Sequence, residues 1–510
     1  MKRITAGAFI IVLYVILCLS AKAQSISPST RWYWNEGQIV TEVPERAANQ
    51  QSALGLALPK MECVRVGFVG LGMRGPDAVD RFSYIPGTHT IGLCDFYEDN
   101  AVRCQEILRK RGLPPAEIYS GETGYQALCE RPDVDLIYIA TDWDHHFPIA
   151  RYALEHGKNV AIEVPAAMNL EQIWTLINLA EKKRLHVIML ENCCYDFYEM
   201  NTLNMAQHGV FGEVLRAEGA YIHTLDPYWD EYWKNPEEEA KLGWRMKYNM
   251  ENRGDIYATH GLGPVAQALD IHRGDRFTTL VAMDTKSVHG KEFVEAKTGK
   301  ACKEFRNGDH TTTLMRTANG KVVEIQHNVM NPQPYNRLYK LTGTKGYATK
   351  YPTEQYSIEA HSFMSADDKK ALEKEYEHPI IRKYGEMAKE VGGHGGMDFI
   401  MDSRLVYCLQ NGLPLDMDVY DLAEWCCLAE LGTLSMDHNC ASVAVPDFTR
   451  GHWTEHNGFH HAFADAHDEA ETEIKAKAVT ENLKDLTIKN HLWEKWDKSQ
   501  MKKKDSSKKN

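Results

Sequence analysis

The sequence predicts an α/β protein in two parts: a doubly wound parallel sheet over residues 62–192, then an α+β domain over residues 193–468 built on a large, mostly antiparallel sheet. Three observations predict it. From Glu62 to about Asn192, short apolar runs alternate with amphipathic stretches, the pattern of strands joined by helical crossovers. In the first of these units, Gly70-Leu71-Gly72-Met73-Arg74-Gly75 follows an apolar run and opens a helix. After Asn192 the runs lengthen and are joined by hairpin-like turns such as Asn319-Gly320, the texture of antiparallel sheet.

Taken in order, Met1 to Ala23 reads as a secretion signal. Lys2 and Arg3 are its basic start, Ala6 to Ser20 its apolar stretch, and Ala21-Lys22-Ala23 supplies the small residues a signal peptidase reads. The apolar run is shorter than the ~20 residues of a spanning helix. Leu17 before Cys18 is bulky for a lipidation signal, which leaves a lipoprotein as the minor alternative. The mature protein is therefore expected outside the cytosol, periplasmic or secreted, with no transmembrane segment after cleavage. Residues 24–61 read as an N-terminal extension. Strands follow at 64–69, 90–94, 136–140, 160–163 and 187–190, with helices at 99–110, 149–156 and 170–183. In the second domain, strands are expected at 214–222, 279–286, 311–317, 321–329 and 338–342, and helices at 263–269, 398–411 and 419–436. Residues 469–510 form a Lys- and Glu-rich tail that cannot bury a core, and its end reads as disordered.

A net charge of −13 argues against a nucleic-acid partner, because no basic surplus offsets phosphate repulsion. Of the 12 cysteines, removal of Cys18 leaves an odd number, and Cys63, Cys94 and Cys129 fall in or beside core segments, as buried free thiols do. The adjacent pairs Cys193-Cys194 and Cys426-Cys427 lack metal spacing. Gly458 interrupts the helix that the cluster His452, His456, His460, His461 and His467 would need for ligation, so no metal site is assigned.

In the glycine run, Gly70 permits a tight turn, Gly72 lets the backbone approach a pyrophosphate, and Gly75 allows close helix packing. Asp95 ends the next strand, where a carboxylate accepts ribose hydroxyls and repels a 2′-phosphate, which favours NAD over NADP. The competing reading is a glycine-rich turn in an unrelated sheet, with Asp95 a helix cap. Outside the cytosol there is no pool of soluble NAD, so the cofactor is expected to stay bound and to recover its redox state within each cycle. Thr141-Asp142-Trp143-Asp144-His145-His146 follows a later strand, where Trp143 and His146 either contact the cofactor or serve structure. Glu163-Val164-Pro165 and Glu191-Asn192 end the next two strands and face the nicotinamide half.

The strand-ending Glu163-Val164-Pro165, in a Rossmann half followed by a mixed-sheet domain, resembles the Gfo/Idh/MocA oxidoreductases. Dehydrogenases of that superfamily usually carry Glu-Lys-Pro, and Val164 departs from it. A closer resemblance lies in Gly243-Trp244-Arg245, Gly254-Asp255-Ile256-Tyr257-Ala258-Thr259-His260-Gly261-Leu262-Gly263-Pro264, Arg273-Gly274-Asp275-Arg276-Phe277, Pro334-Tyr335-Asn336-Arg337 and Gly393-His394-Gly395-Gly396-Met397-Asp398-Phe399. These are similar to glycoside hydrolase family 109, NAD-dependent α-N-acetylgalactosaminidases, over roughly Glu62 to Trp453. The resemblance implies NAD contacts from Met73, Arg74, Asp95, Trp143, His146, Glu163, Val164, Asn192 and Tyr257. It implies sugar contacts from Tyr221, Arg245, Tyr257, Thr259, His260 and Tyr335. Ala258 stands where the family usually has proline, and Met246-Lys247-Tyr248 replaces a more basic run.

The family's redox-neutral chemistry oxidises the sugar at C3, acidifies C2, expels the glycosidic oxygen, adds water and reverses the oxidation. It needs a group that titrates near neutrality beside C2 or C3. His260 is the expected acid/base and Tyr257 its partner or a substrate orienter, against a reading of His260 as a capping or core residue. Tyr195 and His394 are weaker candidates, since pocket-lining or turn roles fit them as well. The expected protein is an exported glycosidase acting on terminal α-linked N-acetylgalactosamine of glycans. A periplasmic sugar oxidoreductase with tightly bound NAD and a non-catalytic sugar-binding protein are the alternatives. A homo-oligomer through the second domain's sheet is left open.

Overall fold

The computed structural model describes residues 30–225, 229, 242–464, 493–501 and 503. The expected secretion signal and most of the charged tail lie outside them. The described chain opens with the hairpin β1 (Trp32–Asn35) and β2 (Gln38–Thr41). Six parallel strands follow: β3 (Val64–Val69), β4 (Thr88–Asp95), β5 (Glu117–Ser120), β6 (Leu136–Ile139), β7 (Asn159–Ile162) and β8 (Val187–Met189). Their order is β5-β4-β3-β6-β7-β8. Strands β6, β7 and β8 are buried at every residue, as strands covered by helices on both faces must be. The strand order reverses between β3 and β6, and ligands of such sheets bind at the carboxyl ends beside that reversal.

The second sheet adds β9 (Val214–Ile222), β10 (Phe277–Asp284), β11 (Thr311–Thr317), β12 (Val322–Asn328), β13 (Lys340–Gly343), β14 (Gly346–Thr349), β15 (Gln355–Ile358) and β16 (Val443–Ala444). Its order is β1-β2-β16-β10-β11-β12-β9-β13-β14-β15, antiparallel except for β12 with β9 and β16 with β2. Residues 32–41, expected as a mere extension, therefore complete one edge of this sheet. Ile39 is fully buried there, and its N–H donates to the Ser442 carbonyl at 2.9 Å.

The helix expected over 419–436 is two, Val419–Cys426 and Leu428–Asp437, divided at Cys427. Residues 493–501 of the charged tail form a helix after all. Trp493 and Trp496 give it an apolar face, Arg109 lies 4.6 Å over the Trp493 ring, and Trp493 Nε1 donates to the Leu113 carbonyl at 3.0 Å. All eleven described cysteines are free. Burial pushes the Cys94, Cys104 and Cys129 thiols up to about 12, so they pack as small inert hydrophobes. No helix among the described residues is long and apolar enough to cross a membrane.

One contact between sheet and helix positions the site. The helix Thr259–Ala268 lies on β9 glycine to glycine: a Cβ on Gly219 would come 2.2 Å from the Gly261 carbonyl oxygen, and one on Gly261 would come 2.3 Å from the Ala220 nitrogen. No side chain fits between them, so the backbones touch.

Candidate active site

At the end of β3, Gly70 adopts φ +90°, and a Cβ there would meet the Ala140 carbonyl carbon at 2.5 Å. A Cβ on Gly75 would lie 2.0 Å from the Gly70 oxygen, whereas one on Gly72 would meet nothing within 4 Å. The chain itself thus requires the first and third glycines, and the space beside the second suits a pyrophosphate. Gly75→Ala is expected to lower the melting temperature of the apoprotein. Gly72→Ala should leave that melting curve unchanged and abolish the rise that NAD produces.

Asp95 binds inward as well as outward. Its Oδ2 accepts the Leu71 N–H at 2.7 Å, and its Oδ1 accepts the Tyr97 N–H at 2.9 Å and the Asn100 amide at 2.8 Å. The carboxylate braces the glycine turn and keeps one lone pair of Oδ2 for a ribose hydroxyl. Of the two readings of His146, its contacts match the structural one: it is buried, with Nδ1 2.8 Å from the Pro165 carbonyl and Nε2 3.0 Å from the Thr141 carbonyl. It ties together the loops after β6 and β7. Trp143 packs edge-on to Trp244 and Tyr248 with ring centroids at 4.8 and 5.1 Å, and its ring lies 5.7 Å from that of Tyr257.

At the strand ends after β7 and β8, Arg74 Nε donates to Glu163 at 3.3 Å and Arg74 Nη2 to Asp398 at 3.0 Å. Asn192 donates to the other Asp398 oxygen at 2.5 Å, and His394 Nδ1 lies 2.9 Å from Asp398. Val164, whose peptide bond to Pro165 is cis, is buried beside them, and Met73 is largely exposed at the turn. His394 therefore belongs to this cluster, but Tyr195 does not belong to the site: it is buried and donates to Asp416 at 3.2 Å.

On the opposite wall, Tyr221 at the end of β9 lies 4.6 Å from Tyr257 and 5.1 Å from His260, ring to ring. Tyr257, in the turn before the helix Thr259–Ala268, and His260 on that helix are 5.0 Å apart, ring to ring. The Arg245 guanidinium sits 5.2 Å over Trp143 and 5.5 Å over Tyr257, a stacking that leaves its donors for a polar ligand. Tyr335, nearly half exposed, closes the rim 5.1 Å from His223. Thr259 is buried under this wall.

The decisive contact was not legible from sequence spacing. His260 Nδ1 lies 2.6 Å from Oε1 of Glu191, which is fully buried. Burial alone would raise the Glu191 carboxyl, but the His260 charge and the hydrogen bonds from His260 and the Cys193 N–H hold it below its ordinary value. An ionised carboxylate against Nδ1 fixes the tautomer and leaves Nε2 as the nitrogen that exchanges a proton. Glu191, Cys193 and His260 also bring metal-type ligand atoms within 4.8 Å of one another. The short His260–Glu191 bond already satisfies two of them, and burial pushes the Cys193 thiol well up, so proton sharing describes this group better than metal ligation.

Strand order and glycine turn define the class: an NAD-binding oxidoreductase fold carrying a second domain built on a large mixed sheet. Residues 64–190 match the oxidoreductase family with the NAD-binding Rossmann fold, and residues 195–455 match the C-terminal domain of glycosyl hydrolase 109. The chain belongs to glycosyl hydrolase family 109. It is 64% identical over 507 residues to glycosyl hydrolase family 109 protein 5 of Phocaeicola vulgatus, covering 96% of each chain. It is 55% identical to family 109 protein 1 of Bacteroides fragilis over 476 residues, 90% of this chain and 99% of the other. Among solved structures it shares its fold with a levoglucosan dehydrogenase in complex with NADH and levoglucosan, at TM-score 0.58 and 18% identity over 75% of this chain and 100% of that one. The protein is an NAD-binding enzyme of the glycoside hydrolase or sugar oxidoreductase kind.

Proposed function

We propose that this protein is an exported glycosidase that removes terminal α-linked N-acetylgalactosamine from glycans without net consumption of NAD. The observation that carries the reading is the buried Glu191–His260 pair beside the tyrosine cluster, a proton-transfer device set against a ring-binding wall. Gly70, Gly72, Gly75, Asp95, Glu163 and Asn192 would hold the dinucleotide. When bound, it supplies a reversible acceptor for hydride, which makes oxidation and later reduction of one sugar carbon accessible.

The chain's own residues do the rest. Tyr221, Tyr257 and Tyr335 seat the pyranose ring, and the Arg245 guanidinium offers donors to its polar substituents. His260 Nε2 takes a proton from the sugar while the Glu191 anion stabilises the imidazolium, and it returns a proton later in the same cycle. Buried Tyr257, whose phenol burial pushes up to about 12, stays protonated and donates to a sugar oxygen. Glu163, on the cofactor side, is held by Arg74, so its charge is committed. The mature chain is expected to release the chromophore of an aryl α-N-acetylgalactosaminide with no NAD added. Conversion only of paired free sugars, with no aglycone release, would instead establish an oxidoreductase.

A further inference from the structure

We infer that Trp34, Trp32 and His438 form a second carbohydrate-binding surface, away from the candidate active site, that holds the glycan of a macromolecular substrate. The inference takes its ligand from the glycosidase reading above, and the surface itself rests on separate observations. The hairpin β1–β2 is one edge of the large sheet, and Trp34 and Tyr33 on it are each 52% exposed, although aromatic rings are the side chains that gain most from burial. They stand on a rigid frame. Glu36 (φ +50°) and Gly37 (φ +81°) make the left-handed two-residue turn of a tight hairpin, and β2 is fixed to the sheet by the Ile39–Val443 pair and by Gln38, which donates to Ser442 at 3.0 Å. Grouped aromatic rings left open on such a frame mark a binding surface.

Register puts Trp32 and Trp34 on the face of the sheet that carries Tyr221. Trp34 lies opposite Ile39, Ile39 beside Val443, and Val443 opposite Leu280. Four residues on from Leu280, and so on the same face, Asp284 pairs with Thr311, Thr311 with His327 and His327 with Tyr221. Six steps between neighbouring strands separate β1 from β9, roughly 29 Å at the usual spacing. A long glycan, or a second glycan on the same carrier, spans that length. Tyr33 projects to the opposite face.

The rings form a corner. Trp34 stands edge-on to Trp32, with centroids 6.4 Å apart, and to His438 at 6.0 Å, while Trp32 is edge-on to His438 at 4.5 Å. His438 Nδ1 donates to the Leu434 carbonyl at 2.8 Å, which leaves Nε2 as the acceptor of the ring. Asn439 and Cys440, at φ +60° and +57°, turn the chain directly after it. A pyranose matches this corner: its C–H face lies on an indole, and a hydroxyl on its rim donates to Nε2. The other occupants fit less well. Two indole side chains of at most about 250 Å² each, even fully open, fall short of the ~800 Å² per partner of a stable protein complex. A net charge of −13 disfavours an anionic membrane surface.

The test is native electrophoresis through gels containing a desialylated mucin, run with wild type, Trp34→Ala, Trp34→Tyr, His438→Ala and Tyr33→Ala, with hydrolysis of an aryl α-N-acetylgalactosaminide measured on each. Wild type is expected to be retarded, Trp34→Ala to lose at least about 5-fold in affinity, Trp34→Tyr to keep most of it, and Tyr33→Ala to match wild type. Turnover of the aryl glycoside should be the same in all five, because that small substrate does not reach the corner. A wild type that the mucin does not retard, a Trp34→Ala retarded like wild type, or retardation that survives stripping of the glycans from the mucin would each overturn the inference. Should Trp34→Ala not fold, His438→Ala decides: unchanged affinity refutes the surface. Mucin binding lost in Trp34→Ala, with no aryl-glycoside hydrolysis by wild type, would sink the glycosidase reading and leave this surface standing.

Discussion

His260→Ala is expected to lower kcat about 1000-fold with little change in KM, within the range for loss of a general acid/base. Among the described residues the neighbouring His223 is no substitute: its ring is held against the Tyr221 hydroxyl at 2.8 Å and is pushed by burial to about 4, so it stays neutral. Glu191→Gln should cost less, about 10- to 100-fold, because the amide carbonyl still accepts the Nδ1 proton but no longer stabilises an imidazolium. The pH dependence of stability has a definite sign. Glu191 is depressed in the folded state below its ordinary value of 4.5, so its contribution is fully present above pH 4.5 and is lost as pH falls through the lower folded value. Chemical denaturation at a series of pH values should show that loss in wild type and not in Glu191→Gln. Near-normal kcat in His260→Ala would remove the assignment.

Gly261→Ala should damage both stability and rate. Its added carbon meets backbone, 2.3 Å from the Ala220 nitrogen, and backbone cannot rotate away. The helix must lift off β9, carrying His260 from Glu191 and Tyr257 from Tyr221. A displacement of about 1 Å at reacting groups costs on the order of 100-fold in rate, and overpacking of this kind costs about 1–3 kcal/mol of stability. Gly263→Ala is a useful contrast. Its methyl would press on the buried Glu191 Cγ at 2.9 Å and Cys194 Sγ at 3.0 Å, disturbing the Glu191–His260 pair without lifting the helix from the sheet. A rate loss with a smaller drop in melting temperature is expected there, with thermal melts and kcat measured side by side. Equal, wild-type behaviour of both variants would mean that the close approach does not fix the catalytic geometry.

How much of this was legible in the sequence follows from which interactions are local. The glycine turn, Asp95 and the strand ends at Glu163 and Asn192 announce themselves because each lies at a fixed offset within one strand-turn-helix unit. Long strands such as Val214–Ile222 and Thr311–Thr317 were readable from alternation over seven or more residues. The four-residue strands β1 and β2 are too short to show a period, and their partner lies at the far end of the chain. The site's tyrosines and His260 were named from the resemblance, but their working partners were not. Glu191 is 69 positions from His260 and Asp398 is 206 from Asn192, pairings that only the register of two sheets and the seating of two helices bring about. One local signal was there to be read: glycines spaced two apart at Gly261 and Gly263 inside an otherwise apolar helix mark a helix that must sink against its neighbour.

The second sheet is sewn from both extremities of the polypeptide. Gln38 and Ser442 are bonded side chain to side chain at 3.0 Å although 404 positions separate them. Synthesis must deliver nearly the whole polymer before this seam can be stitched. Were the protein exported as proposed above, that delay would be useful: a thread entering a translocation pore could not finish its sheet prematurely, and the last stitch would fall on the far side of the membrane.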